Sequence, residues 1–243
     1  MTLAILSALA EEQSGLMHLL ADRTQARHAG RDFWTGHVEG RRVVLALSRI
    51  GKVAAATTTT ALIERFGVQQ VVFTGVAGGL APAVRTGDLV VAEAFLQHDM
   101  DASPLFPRHE VPLYGLSRFA TDAALTARLH AAAQALVSVD MRAGVGAGVQ
   151  VHQGLIVSGD RFVATAAESR SLQQQLPQAL AVEMEGAAVA QVCHDYQIPF
   201  AAVRAISDRA DDEAHTDFSR FVRDVASRYA DVVIGQLLHT LPA

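Results

Sequence analysis

Residues 181–208, AVEMEGAAVAQVCHDYQIPFAAVRAISD, decide the fold of this chain. A short apolar run ends in residues 183–185 (EME), and the apolar residues that follow recur at helical spacing, which predicts a helix. Pro199 ends that helix, because proline cannot continue one, and residues 200–206 have the apolar character of a buried strand. We therefore predict a strand–helix–strand unit.

Both predicted strands of this unit are followed closely by an acidic residue, Glu185 after the first and Asp208 after the second. In open α/β sheets, ligands bind in the crevice beyond the carboxyl ends of the strands. We therefore expect Glu185 and Asp208 to lie at neighbouring strand ends and to face a ligand. The alternative is local, because an acid at a helix start also interacts favourably with the helix dipole.

Composition favours one α/β domain over residues 1–243, since half of the residues are hydrophobic and can fill a large core. We expect a twisted mixed sheet of about nine strands flanked by helices. The net charge is −5 and no basic run occurs, so no nucleic-acid partner is predicted. The single cysteine, Cys193, is typical of a reducing cytoplasm. No apolar run approaches the roughly 18 residues of a membrane helix, so no membrane association is predicted either.

The two acidic motifs, residues 183–185 (EME) and residues 204–208 (RAISD), closely resemble those of a known enzyme family. In this order and at this spacing they are similar to the 5′-methylthioadenosine/S-adenosylhomocysteine nucleosidases, within the nucleoside phosphorylase-like superfamily. The resemblance extends over nearly the whole chain. It implies the fold of that superfamily, a small nucleoside as substrate, and cleavage of an adenine–ribose bond without a metal or another cofactor.

A third acidic turn follows the first predicted strand, residues 3–6. Here Glu11 and Glu12 come just before leucines at helical spacing, so a helix is predicted after them. Acids are common in a first helical turn for purely local reasons. The family resemblance nevertheless implies that Glu12 is the carboxylate that activates the attacking water.

The resemblance implies different work for three carboxyl groups. Bond cleavage passes through an oxocarbenium-like state, as in glycoside hydrolysis, and uses differently tuned carboxyl groups. Glu12 would be the base, and Asp208 the acid that protonates adenine N7. The pKa of Asp208 should be raised by desolvation at the end of an apolar strand. Glu185 would bind the ribose hydroxyls, and its place at a helix start is expected to keep it ionised.

Further motifs supply the rest of the expected pocket. Residues 74–79 (TGVAGG) form a glycine-rich loop whose spacing is not that of the dinucleotide fingerprint, and residues 158–163 (SGDRFV) match another family motif. By resemblance, Phe162 covers the purine face, the backbone of Val163 reads the adenine edge, and Arg204 orients a carboxylate. Besides the three carboxylates, the implied binding residues are Leu9, Ile50, Ala77, Gly78, Phe162, Val163, Glu183, Met184, Arg204, Ser207 and Phe218.

The chain departs from the family pattern at several positions. Val76 stands where the family has a serine, Arg49 stands where a glycine is expected in residues 48–52 (SRIGK), and Ala102 replaces a valine. The resemblance also suggests a homodimer in which the loop of residues 100–115 reaches the partner's pocket. In that arrangement Phe106 and Pro112 would form the outer wall of the pocket.

Two other functions stay open at this point. A methylthioadenosine or purine nucleoside phosphorylase has the same fold but uses phosphate, which arginine or backbone amides usually neutralise, and Arg49 is the only obvious counter-charge. A carboxylate such as Glu12 would repel phosphate by about 4 kcal/mol at roughly 4 Å and an effective dielectric constant of about 20. A non-catalytic nucleoside-binding protein would have lost an acid or a base. We favour hydrolysis because Glu12, Glu185 and Asp208 are all present.

A metal centre is not predicted. His98 and Asp99 are adjacent in the sequence, but no other histidine or cysteine lies at a ligand spacing nearby. Because a metal site needs several such ligands, this pair alone does not indicate one.

Overall fold

The structure, a computed structural model, describes residues 1–143 and 148–241. Within these residues the sheet contains ten strands. They are β1 (Leu3–Ser7), β2 (Ala21–His28), β3 (Arg31–Val38), β4 (Arg41–Leu47), β5 (Gln70–Gly79), β6 (Leu89–Gln97), β7 (Phe119–Ala120), β8 (Val151–Ser158), β9 (Ala179–Glu183) and β10 (Phe200–Asp208).

The helices lie between groups of one to three consecutive strands and after the last strand. They are α1 (Ala10–Gln13), α2 (Lys52–Phe66), α3 (Ala123–Ala143), α4 (Ala166–Gln175), α5 (Gly186–Asp195), α6 (Ala214–Phe221) and α7 (Ser227–Thr240). A short 3₁₀ turn spans Leu16–His18, and a π-helical turn, Val222–Ala226, joins α6 to α7. Within the described residues, no helix is both long and apolar enough to cross a membrane.

Five strands of the mixed sheet close into a ring. Strand β5 pairs with β9 and β10, β10 also pairs with β6, and β8 completes the ring between β6 and β9. On its other side the sheet continues from β1 through β4 and β3 to β2. The prediction of a mixed α/β sheet flanked by helices is therefore confirmed.

Helices cover both faces of this sheet. One large apolar cluster lies under α2 and α5, and a second lies under α3 and α7. Strand β10 is buried along its whole length, as expected for a strand between two helical layers. Strand β2 is exposed along its whole length. Its sequence lacks the apolar pattern of a strand, and for that reason it was not predicted.

The strand–helix–strand prediction is confirmed as β9, α5 and β10, but the strand ends are not neighbours. Strand β5 lies between them, and its residue Gly78 pairs with Val182 of β9 and with Asp208 of β10. The carboxyl ends of all three strands therefore meet at Gly78. The two acidic motifs therefore lie close together, as predicted, but through their shared neighbour β5 and not through direct pairing of β9 with β10.

Other predicted elements match in part. The hairpin turn at Glu39 and Gly40 is confirmed, and both residues have the positive φ that such a turn requires. The helix expected after Glu12 is only α1 and the 3₁₀ turn. The predicted strand or strands of residues 144–157 include β8, while residues 144–147 lie outside the described residues.

Candidate active site

A cavity of about 400 Å³ lies where the carboxyl ends of β1, β5, β9 and β10 meet. Every predicted site residue except Arg204 lines it. The lining residues are Ala8, Leu9, Glu12, Ile50, Val76, Ala77, Gly78, Arg161, Phe162, Val163, Val182, Glu183, Met184, Glu185, Ser207, Asp208, His215, Phe218 and Ser219. Apart from its acidic groups this lining is largely apolar, which is typical of a small-molecule site.

Glu12 is buried and held by three backbone N–H groups. Its Oε2 accepts hydrogen bonds from Ala8 (2.8 Å) and Leu9 (2.9 Å), which begin the turn into α1. Its Oε1 accepts one from Val76 (3.1 Å) in β5. That contact uses the backbone, so the serine-to-valine difference at this position does not remove it. Burial raises the pKa of Glu12, and the backbone hydrogen bonds oppose that rise.

Asp208 ends β10 and is 2% exposed. Its Oδ2 accepts a hydrogen bond from the Ser207 hydroxyl (2.7 Å), and its Oδ1 accepts one from the N–H of Ala210 (2.8 Å). Desolvation by burial raises the pKa of Asp208, in the direction that the sequence predicts. A β-carbon at Gly78 would lie 2.9 Å from Asp208 Oδ1, so glycine at this position leaves room for the carboxyl group.

Glu185 occupies the N-cap position of α5, but its side chain does not cap the helix. Instead, Oε1 accepts a hydrogen bond from the N–H of Gly51 (2.8 Å) at the start of α2. Burial, together with the charge of Glu183, raises the pKa of Glu185 to about 8. The expectation that the helix start keeps Glu185 ionised at neutral pH is therefore wrong, because desolvation and the charge of Glu183 outweigh the helix dipole.

Glu183 caps α5 in place of Glu185. Its carboxylate accepts hydrogen bonds from the N–H of Gly186 (2.8 Å to Oε2) and from the hydroxyl of Ser158. It also pairs with Arg204, whose Nη2 donates to Oε2 at 2.8 Å. Both carboxylate oxygens are thus engaged by the protein, which favours an anchoring role over direct substrate binding.

Arg204 does not line the cavity, in contrast to its predicted place in the binding site. Arg204 is 1% exposed, and its guanidinium lies against the ring of Phe73, with Cζ 3.9 Å from the ring centroid. Nη1 donates to the carbonyl groups of Phe73 and Val203, each at 3.3 Å. The buried ring of strands encloses Arg204, so it supports Glu183 from beneath instead of contacting a ligand.

Two aromatic rings stand at the mouth of the cavity. Phe162 and Phe218 pack edge to face with their centroids 5.6 Å apart. Phe162 is 39% exposed, so it is free to cover a ligand on one side. Phe218 lies in the second turn of α6, and not in a first turn as predicted, because the helix begins at Ala214.

Arg49 points away from the cavity. It is exposed, does not line the cavity, and donates from Nη2 to the carbonyl of Gly30 in the turn between β2 and β3. Its φ of 63° lies in the left-handed region. Glycine adopts that region without strain, which explains why glycine suits this position.

The loop of residues 100–115 does not line the cavity of its own chain, and neither Phe106 nor Pro112 contributes to it. The loop instead presents apolar side chains to solvent, with Leu105 85% and Leu113 91% exposed.

The sequence analysis missed three polar residues of the lining, Arg161, His215 and Ser219. Arg161 lies inside a motif that was selected for its neighbour Phe162, and His215 lies one helical turn before Phe218. Their closeness in sequence to Phe162 and Phe218, which were predicted to line the pocket, is the signal that could have identified Arg161 and His215. Among the described residues, no group of three or more His, Cys, Asp or Glu side chains is placed to hold a metal ion.

Comparison with known proteins identifies relatives along the whole chain. The sequence model of the Phosphorylase superfamily matches residues 2–238. The 5′-methylthioadenosine/S-adenosylhomocysteine nucleosidase of Anoxybacillus flavithermus is 37% identical over 235 residues, which cover 96% of each protein. The Neisseria meningitidis nucleosidase, solved in complex with methylthio-immucillin-A, is 34% identical with a TM-score of 0.90, and 99% of each chain is covered.

A third relative is named for a different substrate, futalosine. The futalosine hydrolase of Helicobacter pylori is 33% identical with a TM-score of 0.86, and the match covers 99% of this chain and 98% of that one. Sequence identity, coverage and backbone geometry therefore agree with the motif order. The chain belongs to the 5′-methylthioadenosine/S-adenosylhomocysteine nucleosidase family of the phosphorylase superfamily.

Proposed function

We propose that the chain hydrolyses the adenine–ribose N-glycosidic bond of 5′-methylthioadenosine and S-adenosylhomocysteine, releasing adenine and the thio-ribose. The observation that carries this proposal is the meeting of Glu12, Glu185 and Asp208 in one cavity. All three are nearly inaccessible to solvent, and burial raises the pKa of each. Perturbed carboxyl groups that share one cavity are typical of acid–base catalysis.

Asp208 is the proposed acid. Its raised pKa allows it to hold a proton, while Ser207 and Ala210 fix its orientation. When the C1′–N9 bond breaks, its electron pair passes to adenine, and the Asp208 proton neutralises that charge at N7. The leaving group is therefore neutral adenine and not its anion.

Glu12 is the proposed base. Three backbone N–H groups hold its carboxylate in place and oppose the effect of burial on its pKa. A water oxygen bonds to C1′ and gives a proton to Glu12, so the charge on the ribose is neutralised by water and not by phosphate.

Glu185 is the proposed partner of the ribose hydroxyls. With a pKa of about 8, Glu185 has an accessible ionised form at neutral pH, and a positive charge on the ribose ring beside it favours that form. The ionised form then stabilises the transition state more than the uncharged substrate. Glu183 holds the start of α5, and Arg204, which lies outside the cavity, pairs with Glu183.

The rest of the lining suits the other parts of the nucleoside. Phe162 is proposed to cover the purine, with Ala77, Gly78, Val163 and Ser207 around its edge. Leu9, Ile50, Met184 and Phe218, together with Phe162, are proposed to form an apolar slot for the 5′-thioether. Arg161 and His215 are exposed at the mouth, where a longer charged tail would leave the slot.

Hydrolysis is favoured over phosphorolysis by the charges around the reacting atoms. Arg49 faces away, and among the described residues the basic side chains of the lining are Arg161 and His215, which are exposed. A phosphate dianion beside Glu12 would lack a counter-charge there.

The test is incubation with methylthioadenosine in the presence and absence of phosphate. We expect adenine release that is independent of phosphate, with free methylthioribose as the sugar product. Formation of a sugar 1-phosphate would contradict hydrolysis, and no adenine release in either condition would indicate a non-catalytic binding protein. Because one relative is a futalosine hydrolase, the same assay includes futalosine as a third substrate.

We further propose that residues 1–243 form one nucleosidase domain that acts as a homodimer in the cytoplasm. The exposed apolar side chains of Val53, Leu105 and Leu113 support the dimer, because large exposed apolar groups often mark an interface. The single, buried Cys193 supports the reducing compartment. Light scattering of the purified chain tests the dimer.

A further inference from the structure

Asp160 connects three separate segments beside the cavity. It follows β8, and its Oδ1 accepts a hydrogen bond from the backbone N–H of Lys52 (2.7 Å), the first residue of α2. Its own N–H donates to Oδ2 of Asp99 (2.9 Å), just after β6. Asp99 in turn accepts a hydrogen bond from the Lys52 ammonium (2.6 Å), so the three residues form a closed set of contacts.

This set fixes the peptide that holds Glu185. Gly51 precedes Lys52 and has a φ of 94°, a conformation that favours glycine. A β-carbon at Gly51 would also lie 3.1 Å from Oδ1 of Asp160, so the two residues are closely packed. The N–H of Gly51 donates to Oε1 of Glu185, and among the described residues this is the only hydrogen bond that the Glu185 side chain makes.

Gly51 is the N-cap residue of α2, but as a glycine it has no side chain that could accept a hydrogen bond from the first N–H groups of the helix. The N-terminal N–H groups of a helix need acceptors from elsewhere. Asp160 supplies one at Lys52, one peptide away from the N–H that Glu185 accepts. The direction of the Gly51 N–H therefore depends on where Asp160 holds the start of α2.

We propose that Asp160 is a positioning residue for the reaction: by holding Lys52 it aims the Gly51 N–H at Glu185 and so fixes the carboxylate that receives the ribose. Asp160 does not line the cavity, so it is placed to act through Gly51 and Glu185. The catalytic part of this inference rests on the proposed function, but the link between Asp160 and Glu185 does not.

Several charged groups face Glu185 and must be separated from this effect. Glu183 at the end of β9 and Glu12 in α1 raise the pKa of Glu185, whereas Arg204 in β10 and the Gly51 N–H lower it. On the side of α2 the ammonium of Lys52 is paired with Asp99. A test must therefore compare two variants of Asp160 that have the same charge but differ in the hydrogen bond to Lys52.

Asp160→Ala and Asp160→Asn form the required pair, because both remove the charge but only the asparagine keeps an oxygen that accepts from Lys52. We measure the pKa of Glu185 in each by carboxyl-carbon NMR titration, with the signal assigned by its absence in Glu185→Gln. We also measure kcat/KM for methylthioadenosine against pH. Asp32→Ala, at an exposed site on β3, is the control for loss of a surface acid.

We expect the pKa of Glu185 to be higher in Asp160→Ala than in Asp160→Asn, since the alanine variant loses the aimed N–H. The rising limb of kcat/KM should move to higher pH in the same variant. Its value at neutral pH should fall roughly tenfold below that of Asp160→Asn, the size of a lost hydrogen bond to a charged group. Asp32→Ala should match the wild type.

An equal Glu185 pKa in the two Asp160 variants would overturn the inference, and so would a uniform loss of activity without a shift along the pH axis. The NMR titration needs no turnover. A wild-type protein without adenine release would therefore contradict the proposed function, while the positioning of Glu185 by Asp160 would still be decided.

Discussion

The inner end and the outer end of the cavity are built in different ways. The inner end, formed by Glu12, Glu185 and Asp208, is held at strand and helix ends by backbone N–H groups. The outer end consists of side chains that project from loops and from α6, and there Ile50 is 58% and Phe162 39% exposed. On the proposed function, we therefore expect the groups that cleave the bond to be positioned within one chain, and the 5′ group to be selected by the more exposed side chains of the outer end.

The largest expected effect is at Asp208, at the inner end. Asp208→Asn keeps the shape of the side chain but removes the proton, so turnover of methylthioadenosine should fall by at least about 10²-fold. Steady-state adenine release checks this, with the exposed Asp212→Asn as a matched control. Turnover near that of the wild type would show that Asp208 is not the acid.

Glu12→Gln should cost a similar factor, about 10²-fold in turnover, because the amide cannot take the proton of water. Binding of a substrate analogue, measured by calorimetry, should change little, since the amide oxygen can still accept from the N–H groups of Ala8 and Leu9, and only the longer Val76 contact is lost. Glu11→Gln next to it is exposed and should behave as the wild type. A large loss in both variants would indicate damage to α1 and not the loss of a base.

Glu185 should give a smaller effect that depends on pH. A cationic ribose analogue of constant charge should bind more tightly as the pH rises toward about 8, because Glu185 ionises over that range. Glu185→Gln should weaken this binding by roughly tenfold at high pH and remove much of the pH dependence. Substrate binding should weaken less, since the substrate is uncharged at the ribose. Equal loss for both ligands would contradict the electrostatic role.

Ionisation of Glu185, which should strengthen the binding of a cation, should lower the stability of the folded chain. The pKa of Glu185 in the folded chain lies above the ordinary value of 4.5. The folded state therefore binds the proton more tightly, and the contribution of Glu185 to stability is lost as the pH rises from 4.5 to about 8. Above that range, Glu185→Gln should unfold at the same or a higher temperature than the wild type, which calorimetry measures.

The smallest effects are expected at the outer end. Methylthioadenosine should be the preferred substrate, S-adenosylhomocysteine should also be cleaved, and plain adenosine should be poor. Apolar slots of this kind discriminate by about 1–3 kcal/mol per methylene group. Shortening residues 103–112 should reduce the preference for methylthioadenosine over adenosine and, if the loop crosses the interface, weaken the dimer. Equal kcat/KM for both substrates in the wild type would show that the slot does not exist.

The sequence was sufficient where a site residue directly follows an apolar run that forms a strand. The ends of β9 and β10 were predicted because Glu185 and Asp208 follow apolar runs, and the raised pKa of Asp208 followed from the same burial. The pKa of Glu185 could not be predicted in that way. It depends first on the depth of burial, which the packing of distant segments such as Gly51 against Glu185 decides, and then on how the turn after β9 places the charge of Glu183 beside it.

The buried position of Arg204 also depends on topology. An arginine inside an apolar strand can face a ligand or a buried acid, and the strand pattern is the same in both cases. Only the closing of the ring of strands around Arg204 and Phe73 decides between them. Strand β2 was missed for a related reason, because it is an exposed edge strand that pairs with β3 and needs no apolar face.

The closing position of β10 has a consequence for synthesis of the chain in the cell. This strand pairs Phe200 with Val71 and Val203 with Val91, so it joins segments that left the ribosome much earlier. Contacts between residues so distant in sequence form slowly. Until β10 emerges, Glu12 and Glu183 lack Arg204, and Asp208 has not yet been made. We therefore expect catalytic activity to appear in one late step of synthesis. A chain truncated anywhere before residue 208 should accordingly be inactive.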